Sequence, residues 1–254
     1  MRKIDYCIEP SYDGFTVEKF LMGEKKLSRR LITKLKYSDG GITLNGNPIR
    51  TVDVIAAGDV LSVVMCDDKT LEENASLDVP VAYEDDDIVV FDKPCGMPAH
   101  PSILHHNDTL GNYYAYLYKE LSFRPVNRLD RDTSGLCVVA KNAYSAAVLQ
   151  HGTDKTYYAA VCGLIVGSGK ISAPIAREAD TIIKRKVSDD GQEAITEYEA
   201  VKSANGYTLL KIKLLTGRTH QIRVHFSHIG YPLAGDELYG GDCTDISRQA
   251  LHCG

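Results

Sequence analysis

Two polar segments, far apart in the chain, contain the residue types that could do chemistry. The first, residues 127–135 (NRLDRDTSG), places the carboxylate of Asp130 between Arg128 and Arg131, just before an apolar run. We expect Asp130 to be ionised at neutral pH, because a nearby guanidinium favours the charged form of a carboxylate. Such a group can act as a nucleophile or a base at a sugar carbon. Taken alone, the R-x-D-R pattern is more typical of a surface ion-pair turn than of a functional site.

The second segment, residues 216–225 (TGRTHQIRVH), follows a predicted strand and opens a helix at a glycine turn. On that helix, Arg223 lies beside the apolar Ile222 and Phe226, so its side chain is expected to be partly buried. A buried guanidinium needs an anionic partner, and Asp130 is the leading candidate in the chain.

Other chemistries fit the sequence poorly. His220 and His225 fall on different sides of the predicted helix, and the seven cysteines are never spaced C-x-x-C, so we predict no metal site. A glycosidase could use Asp130 and Asp132, but their separation in a loop is not controlled and the chain lacks tryptophan. Residues 163–170 resemble a phosphate-binding loop only faintly, because Ile171 stands where Ser or Thr is needed.

The elements that must position these segments are mostly strands. Apolar strand-like runs occur at residues 88–91, 136–140, 156–161, 194–201 and 207–215. Predicted helices at 110–121, 143–150 and 219–229 lie between some of them. Because strands outnumber helices and do not alternate strictly with them, the sequence predicts an α+β fold with a mixed, largely antiparallel sheet flanked by helices and loops.

The N-terminal part differs in its charge. Residues 16–37 predict two short amphipathic helices, followed by strands at 41–44 and 60–64. The basic residues of these helices could form a solvated surface, but their clustering favours contact with phosphates. The candidate RNA-binding side chains are Lys25, Lys26, Arg29, Arg30 and Lys34.

The net charge of −5 is unevenly distributed and marks a domain boundary. Residues 66–92 hold one basic side chain against ten acidic ones, whereas both flanking regions are mildly basic. We therefore predict a small α+β domain at 1–66, an acidic linker at 67–80 and a second domain at 81–254. The chain has no apolar run of about 18 residues and no signal peptide, which indicates a cytoplasmic protein without membrane contact. We expect a monomer.

Two resemblances sharpen these predictions. Residues 27–30 (LSRR), 41–46 (GITLNG) and 57–61 (AGDVL) resemble the ribosomal-S-four-like RNA-binding domain. Most of residues 81–254 resembles the RNA pseudouridine synthases of the ribosomal large-subunit type. The matching segments are 83–97 (YEDDDIVVFDKPCGM), 100–101 (HP), 128–130 (RLD) with 133–135 (TSG), 155–163 (KTYYAAVCG), 216–225 and 235–240 (GDELYG).

The second resemblance implies that Asp130 is the catalytic aspartate and that Arg223 forms an ion pair with it. Tyr157 would lie against the target uracil, while Arg128 would occupy the space left by the flipped nucleotide and Leu129 would form part of the pocket wall. His220 and Gln221 would support substrate binding. The partner would be structured RNA, ribosomal or transfer, from which the uridine must be extruded.

The same resemblance implies that no cofactor or metal is required. A non-catalytic RNA-binding or assembly protein remains the alternative, although binding alone would not need Asp130, Tyr157 and Arg223 together. Two departures from the family pattern stand out. Asn127 replaces the usual His and is expected to affect orientation only. The chain ends at Gly254 where relatives continue, so we expect a short sheet-completing segment to be missing.

Overall fold

A four-stranded antiparallel sheet is built from the N-terminal part of the chain. The computed structural model describes residues 2–65, 71–102, 104–150, 153–179, 181 and 183–254. The sheet is ordered β1-β4-β2-β3 and covered by short helices. Its elements are β1 (Arg2–Cys7), α1 (Val17–Lys19) with a following π-helical turn (Phe20–Glu24), α2 (Arg29–Lys36), β2 (Ile42–Leu44), β3 (Asn47–Pro48) and β4 (Val60–Met65).

The rest of the chain forms an eight-stranded sheet and a separate hairpin, β10–β11. The large sheet is ordered β5-β6-β7-β14-β8-β13-β12-β9. Its pairs are antiparallel except for β14 with β7, so the predicted α+β class with a mixed, largely antiparallel sheet is confirmed. The elements are β5 (Val81–Glu84), β6 (Ile88–Lys93), α3 (Leu110–Leu117), β7 (Ser134–Ala140), α4 (Ala143–Leu149), β8 (Thr156–Cys162), β9 (Ser168–Ser172), β10 (Ile175–Arg177), β11 (Arg185–Val187), β12 (Ile195–Ala204), β13 (Tyr207–Leu214), α5 (Gln221–His228) and β14 (Leu251–Cys253).

Side-chain caps explain where most helices begin. The Thr109 hydroxyl accepts a hydrogen bond from the Asn112 amide, which starts α3, and Asn142 caps α4 through the Ser145 amide. Helix α5 begins at Gln221, two residues later than the sequence predicts. His220 takes the left-handed conformation (φ 57°, ψ 21°) and so cannot be part of the helix.

The core of the second half lies between α5 and the centre of the large sheet. Ile222 and Phe226 on α5 pack against Ala159 of β8 and Leu210 of β13. The short strand β14 lies between β7 and β8, so the sheet is continuous across its centre. That a further sheet-completing segment is missing stays a prediction.

The predicted linker is partly structured. Cys66 and residues 67–70, where the predicted boundary falls, lie outside the described residues. Within 71–80, however, Leu77 and Val79 pack into the apolar cluster of β6 and α3. This corrects the linker prediction, because these two side chains belong to the core of the second half.

Tyr144 on α4 packs against the core of the four-stranded sheet and joins the two halves.

No helix in the described parts of the chain has both the length and the apolar character needed to cross a bilayer.

The close contact between β7 and β14 can be tested at Gly135. Its φ is +114°, and a Cβ there would lie 2.6 Å from the backbone nitrogen of Cys253. We expect Gly135→Ala to lower the free energy of unfolding by about 3 kcal/mol, because it adds backbone strain and overpacks the strand pair. The measurement is urea denaturation followed by circular dichroism.

Gly217→Ala is the matched control. This glycine has open space around its Cβ position and is not left-handed, so the free energy of unfolding should change by less than about 0.5 kcal/mol. Equal stability of the two variants would show that β14 is not packed as described.

Candidate active site

Buried polar groups hold the loop that carries Asp130. Asn127, 7% exposed, accepts a hydrogen bond from the Val138 amide (2.8 Å) and donates one to the Leu136 carbonyl (2.9 Å). The side chain of Asn127 thus fixes the start of the loop to β7. This matches the orienting role expected for the residue that replaces the usual His.

A fully buried lysine supports the same loop from behind. The Nζ of Lys93 donates to the carbonyls of Pro94 (2.8 Å), Met97 (2.7 Å) and Arg131 (3.1 Å). Burial lowers the pKa of Lys93 to about 8, so the ammonium is still mostly protonated at neutral pH. Its three donors therefore tie the residue after Asp130 to the end of β6.

Arg223 is shared between two carboxylates. Its Nε and Nη2 donate to Asp236 at 2.6 Å and 2.8 Å, and its Nη1 donates to Asp130 at 3.4 Å. Arg223 is 8% exposed and Asp236 is 2% exposed, whereas Asp130 is only partly buried. Although burial opposes it, hydrogen bonding to Asp236 raises the pKa of Arg223. A permanent positive charge is thus fixed next to Asp130.

Two details of this ion pair differ from the sequence prediction. The closest partner of Arg223 is Asp236, and Asp130 is its second partner. Arg131 was expected to flank Asp130, but its guanidinium forms two hydrogen bonds with the neighbouring Asp132 (3.0 Å and 3.1 Å). This pairing engages Asp132 and argues against its use as a second carboxylate in glycoside hydrolysis.

Asp130 lines an open cleft of about 640 Å³. A smaller recess of about 60 Å³, which Arg223 also lines, adjoins the cleft at Asp130. Arg128, Leu129 and Tyr157 line both spaces, and of the three only Arg128 is exposed. Burial raises the pKa of Tyr157, whose hydroxyl interacts with Cys253 on β14, so the phenol stays protonated. The structure therefore gathers four predicted residues around one cleft.

His220 lies between the recess and a buried tyrosine. Its Nδ1 is 2.8 Å from the Tyr239 hydroxyl, and its Nε2 is 3.8 Å from Oδ2 of Asp130. The Tyr239 hydroxyl accepts a hydrogen bond from the Arg185 amide (2.9 Å), which favours donation of its own proton to His220. Burial lowers the pKa of His220, which favours the neutral ring, and its Nε2 faces Asp130.

Gln221 lines the recess, and its side-chain amide is hydrogen-bonded inside the protein. It is 2% exposed, and its amide oxygen accepts from the Thr216 hydroxyl and the Arg218 amide, both at 2.9 Å. Its amide nitrogen donates to Ile195 and Thr196, both at 3.0 Å. All its hydrogen-bonding positions are used inside the protein, so Gln221 holds the 216–220 turn and has no group left for a substrate.

The predicted basic residues of the N-terminal part are divided between two sides. Lys26, Arg30 and Lys34 line a groove between α2 and α4. Lys25 instead lies over the rings of Tyr6 and Phe20, with its Nζ at 5.1 Å and 5.2 Å from their centroids. The Nε of Arg29 is 3.9 Å from a carboxylate oxygen of Glu18.

Three residues that hold the site were not assigned roles from the sequence: Lys93, Asp236 and Tyr239. Each lies in a segment that matched the family pattern, which was the only signal available. Among the described residues, no group of three or more His, Cys, Asp or Glu side chains is placed to hold a metal ion.

Comparison with known proteins agrees with this geometry. The family model for RNA pseudouridylate synthase matches residues 87–228. The RNA pseudouridine synthase YjbO of Bacillus subtilis (strain 168) is 37% identical over 249 residues, which cover 93% of this chain and 88% of that protein. The ribosomal large subunit pseudouridine synthase D of Pseudomonas aeruginosa (strain PAO1) is 40% identical over 239 residues, covering 84% of this chain and 74% of that protein.

A solved structure shows the same fold. Human RNA pseudouridylate synthase domain containing 1 superposes with a TM-score of 0.60 at 25% identity, covering 72% of this chain and 79% of that one. The region that the family model matches, residues 87–228, includes both Asp130 and Arg223. The family model, which matches more than half of the chain, and these relatives show that the chain belongs to the RNA pseudouridine synthase family.

Proposed function

We propose that the chain converts specific uridines of ribosomal RNA to pseudouridine with Asp130 as the catalytic group, acting as a monomer in the cytoplasm. Family membership establishes the isomerisation of uridine in RNA. The observation that best supports the role of Asp130 is its position in the lining of the cleft, 3.4 Å from a guanidinium fixed by Asp236. Ribosomal RNA is favoured by the name of the Pseudomonas aeruginosa relative, and transfer RNA is the alternative substrate.

The reaction needs one ionised carboxylate. It breaks the bond from C1′ of the ribose to N1 of uracil and forms a bond from C1′ to C5. C5 then loses its proton and N1 gains one, so the product is an isomer. Asp130 serves either by attacking C1′ or by removing a proton from the ribose, and both routes use the same anion. Arg223 keeps that anion in place without neutralising it by proton transfer.

The target base must leave the helical stack to reach Asp130, at a cost of a few kcal/mol. Arg128 is exposed at the mouth of the cleft, where it can fill the space that the nucleotide leaves. Tyr157 and Leu129 form a buried wall against which the detached uracil can turn without escaping. No step calls for a cofactor or a metal ion.

The groove between α2 and α4 is proposed to bind RNA phosphates beside the cleft. The groove and the cleft share Gln150, so an RNA segment can pass from one to the other. Lys26, Arg30 and Lys34 provide the positive charge. The N-terminal part acts as the ribosomal-S-four-like RNA-binding domain in this proposal, but Lys25 and Arg29 lie outside its groove.

The catalytic role of Asp130 can be tested by substitution. Asp130→Asn should abolish turnover and leave RNA affinity near wild type, because it removes the reacting anion but keeps the shape of the side chain. Tritium release from RNA that carries [5-³H]uridine measures the reaction, since C5 loses its hydrogen. Asp132→Asn, in the same loop but paired with Arg131, should retain activity within a few fold. Turnover by the Asp130→Asn variant would remove Asp130 from its role.

Substitution of Asp236, the buried partner of Arg223, tests its positioning role. Asp236→Ala should lower the free energy of unfolding by about 3–5 kcal/mol, because a buried guanidinium loses its bidentate partner. Asp236→Asn keeps the shape and should lower kcat more than it changes KM, since Arg223 loses its fixed orientation. Glu237→Ala, at the exposed neighbouring position, is the control. An unchanged kcat in Asp236→Asn would contradict the positioning role.

Two double variants can distinguish the contributions of the two sides of α2 to RNA binding. Arg30→Glu with Lys34→Glu should weaken RNA binding and flatten the slope of log K against log salt by about 1.5, corresponding to two lost phosphate contacts. Arg29→Glu with Lys36→Glu changes the same charge on the same helix outside the groove and should alter the slope much less. Equal slopes in both double variants would place the RNA elsewhere.

A further inference from the structure

A third cavity, of about 450 Å³, adjoins the catalytic cleft on the other side of Arg218. Gly217, Arg218 and Thr219 line both spaces. The charged residues around the cavity are three arginines and one aspartate: Arg177, Arg185, Arg218 and Asp190. The cavity is therefore positively charged and opens next to the site where the target base is bound.

Two of these arginines face each other across the β10–β11 hairpin. Arg177 and Arg185 are paired directly in the antiparallel register, so their side chains leave the same face of the hairpin. Like charges at directly opposed positions destabilise a strand pair. The Nη1 of Arg185 donates to the carbonyls of Ile183 (3.1 Å) and Lys184 (3.2 Å), which holds this guanidinium at the hairpin, and the side chain of Arg177 beside it is exposed.

The floor of the cavity is rigid. Ile175 on β10 exchanges two backbone hydrogen bonds with Gln192, both at 2.9 Å. Gly191 approaches β10 so closely that a Cβ would lie 2.6 Å from the backbone of Ile175. The Nε of Arg218 donates to the Glu193 carbonyl at 2.9 Å, which holds this guanidinium at the border with the cleft. The arginine side chains thus extend from backbone whose position is fixed before any ligand binds.

The hairpin is also connected to the active site. The Arg185 amide donates to the hydroxyl of Tyr239, and that hydroxyl contacts His220, which faces Asp130. Tyr239 packs in one apolar cluster with Ile175, and Val187 of β11 packs against it. The distance from the arginines to Asp130 is therefore set by packed and hydrogen-bonded groups.

We propose that this cavity binds the RNA phosphodiester next to the target uridine. The inference rests on the proposed function, because it requires RNA to occupy the cleft. The cavity adjoins the cleft at Arg218 and Thr219, so the RNA backbone on one side of a base in the cleft can continue into it. Guanidinium groups match the geometry of phosphate oxygens and bind them with two hydrogen bonds. The cavity holds one flanking phosphate and so fixes the position of the ribose relative to Asp130.

The test compares Arg177→Gln with Arg177→Lys and with Lys186→Gln as the matched control. Lys186 lies on the same hairpin, paired with Ala176, so its side chain leaves the opposite face. In the tritium-release assay, Arg177→Gln should raise KM about tenfold with kcat within about twofold of wild type. Its salt slope should be flatter by about 0.7, the value for one phosphate contact of a single strand.

The other variants should behave differently from Arg177→Gln. Arg177→Lys keeps the charge and should retain the salt slope, and Lys186→Gln should leave both KM and slope near wild type. Equal effects of Arg177→Gln and Lys186→Gln would overturn the proposal and indicate a general charge effect. An unchanged RNA salt slope in Arg177→Gln would also overturn the proposal. Saturable binding of inorganic phosphate by the wild-type protein would then assign the cavity to a free anion. Absence of tritium release by the wild-type protein would instead contradict the proposed function.

Discussion

One guanidinium, that of Arg223, links the two carboxylates of the cleft region, Asp236 and Asp130. Its planar group has two edges, and the buried Asp236 takes one of them with hydrogen bonds of 2.6 Å and 2.8 Å. The ring of Tyr239 lies against its face, 4.9 Å from the central carbon. Only Nη1 is directed to Asp130, and the 3.4 Å distance is long for a charge-assisted hydrogen bond. Asp130 is therefore held close to a fixed charge while it stays available to a substrate.

This arrangement explains why so many charged and polar groups are buried around one loop. A buried charge is costly unless its hydrogen bonds are satisfied. Lys93 satisfies all three of its donors with carbonyl groups, one of which belongs to the Asp130 loop. The side-chain amide of Gln249 donates to the Thr133 hydroxyl at 2.7 Å, which ties the other end of the loop to the segment before β14. The loop is thus held from β6, β7 and the end of the chain.

Local sequence patterns predicted the elements but not the partners. Strand runs, the Thr109 and Asn142 caps and the order of the segments were sufficient for the α+β class, and the resemblance identified the family. The pairing of Arg223 with Asp130 could be inferred because one buried cation needed an anion. Asp236 could not be chosen among the 34 acidic residues, because only the fold brings it to α5. The pairing of Arg131 with Asp132 could not be chosen either, because Asp130 and Asp132 are both adjacent to Arg131 and only the loop conformation decides between them.

The distribution of charge explains how an acidic chain can act on a polyanion. The excess negative charge lies in residues 66–92, and Glu84 in that stretch pairs with Lys141 at the β5 edge of the sheet. The cleft is lined instead by Arg128, Arg131, Lys155 and Arg218 against the single carboxylate of Asp130. Electrostatic interactions between exposed charges decay over about 8 Å at physiological salt, so RNA in the cleft is exposed mainly to these nearby positive groups. The net charge of −5 arises from residues 66–92 and therefore does not prevent binding of RNA at the positively charged cleft.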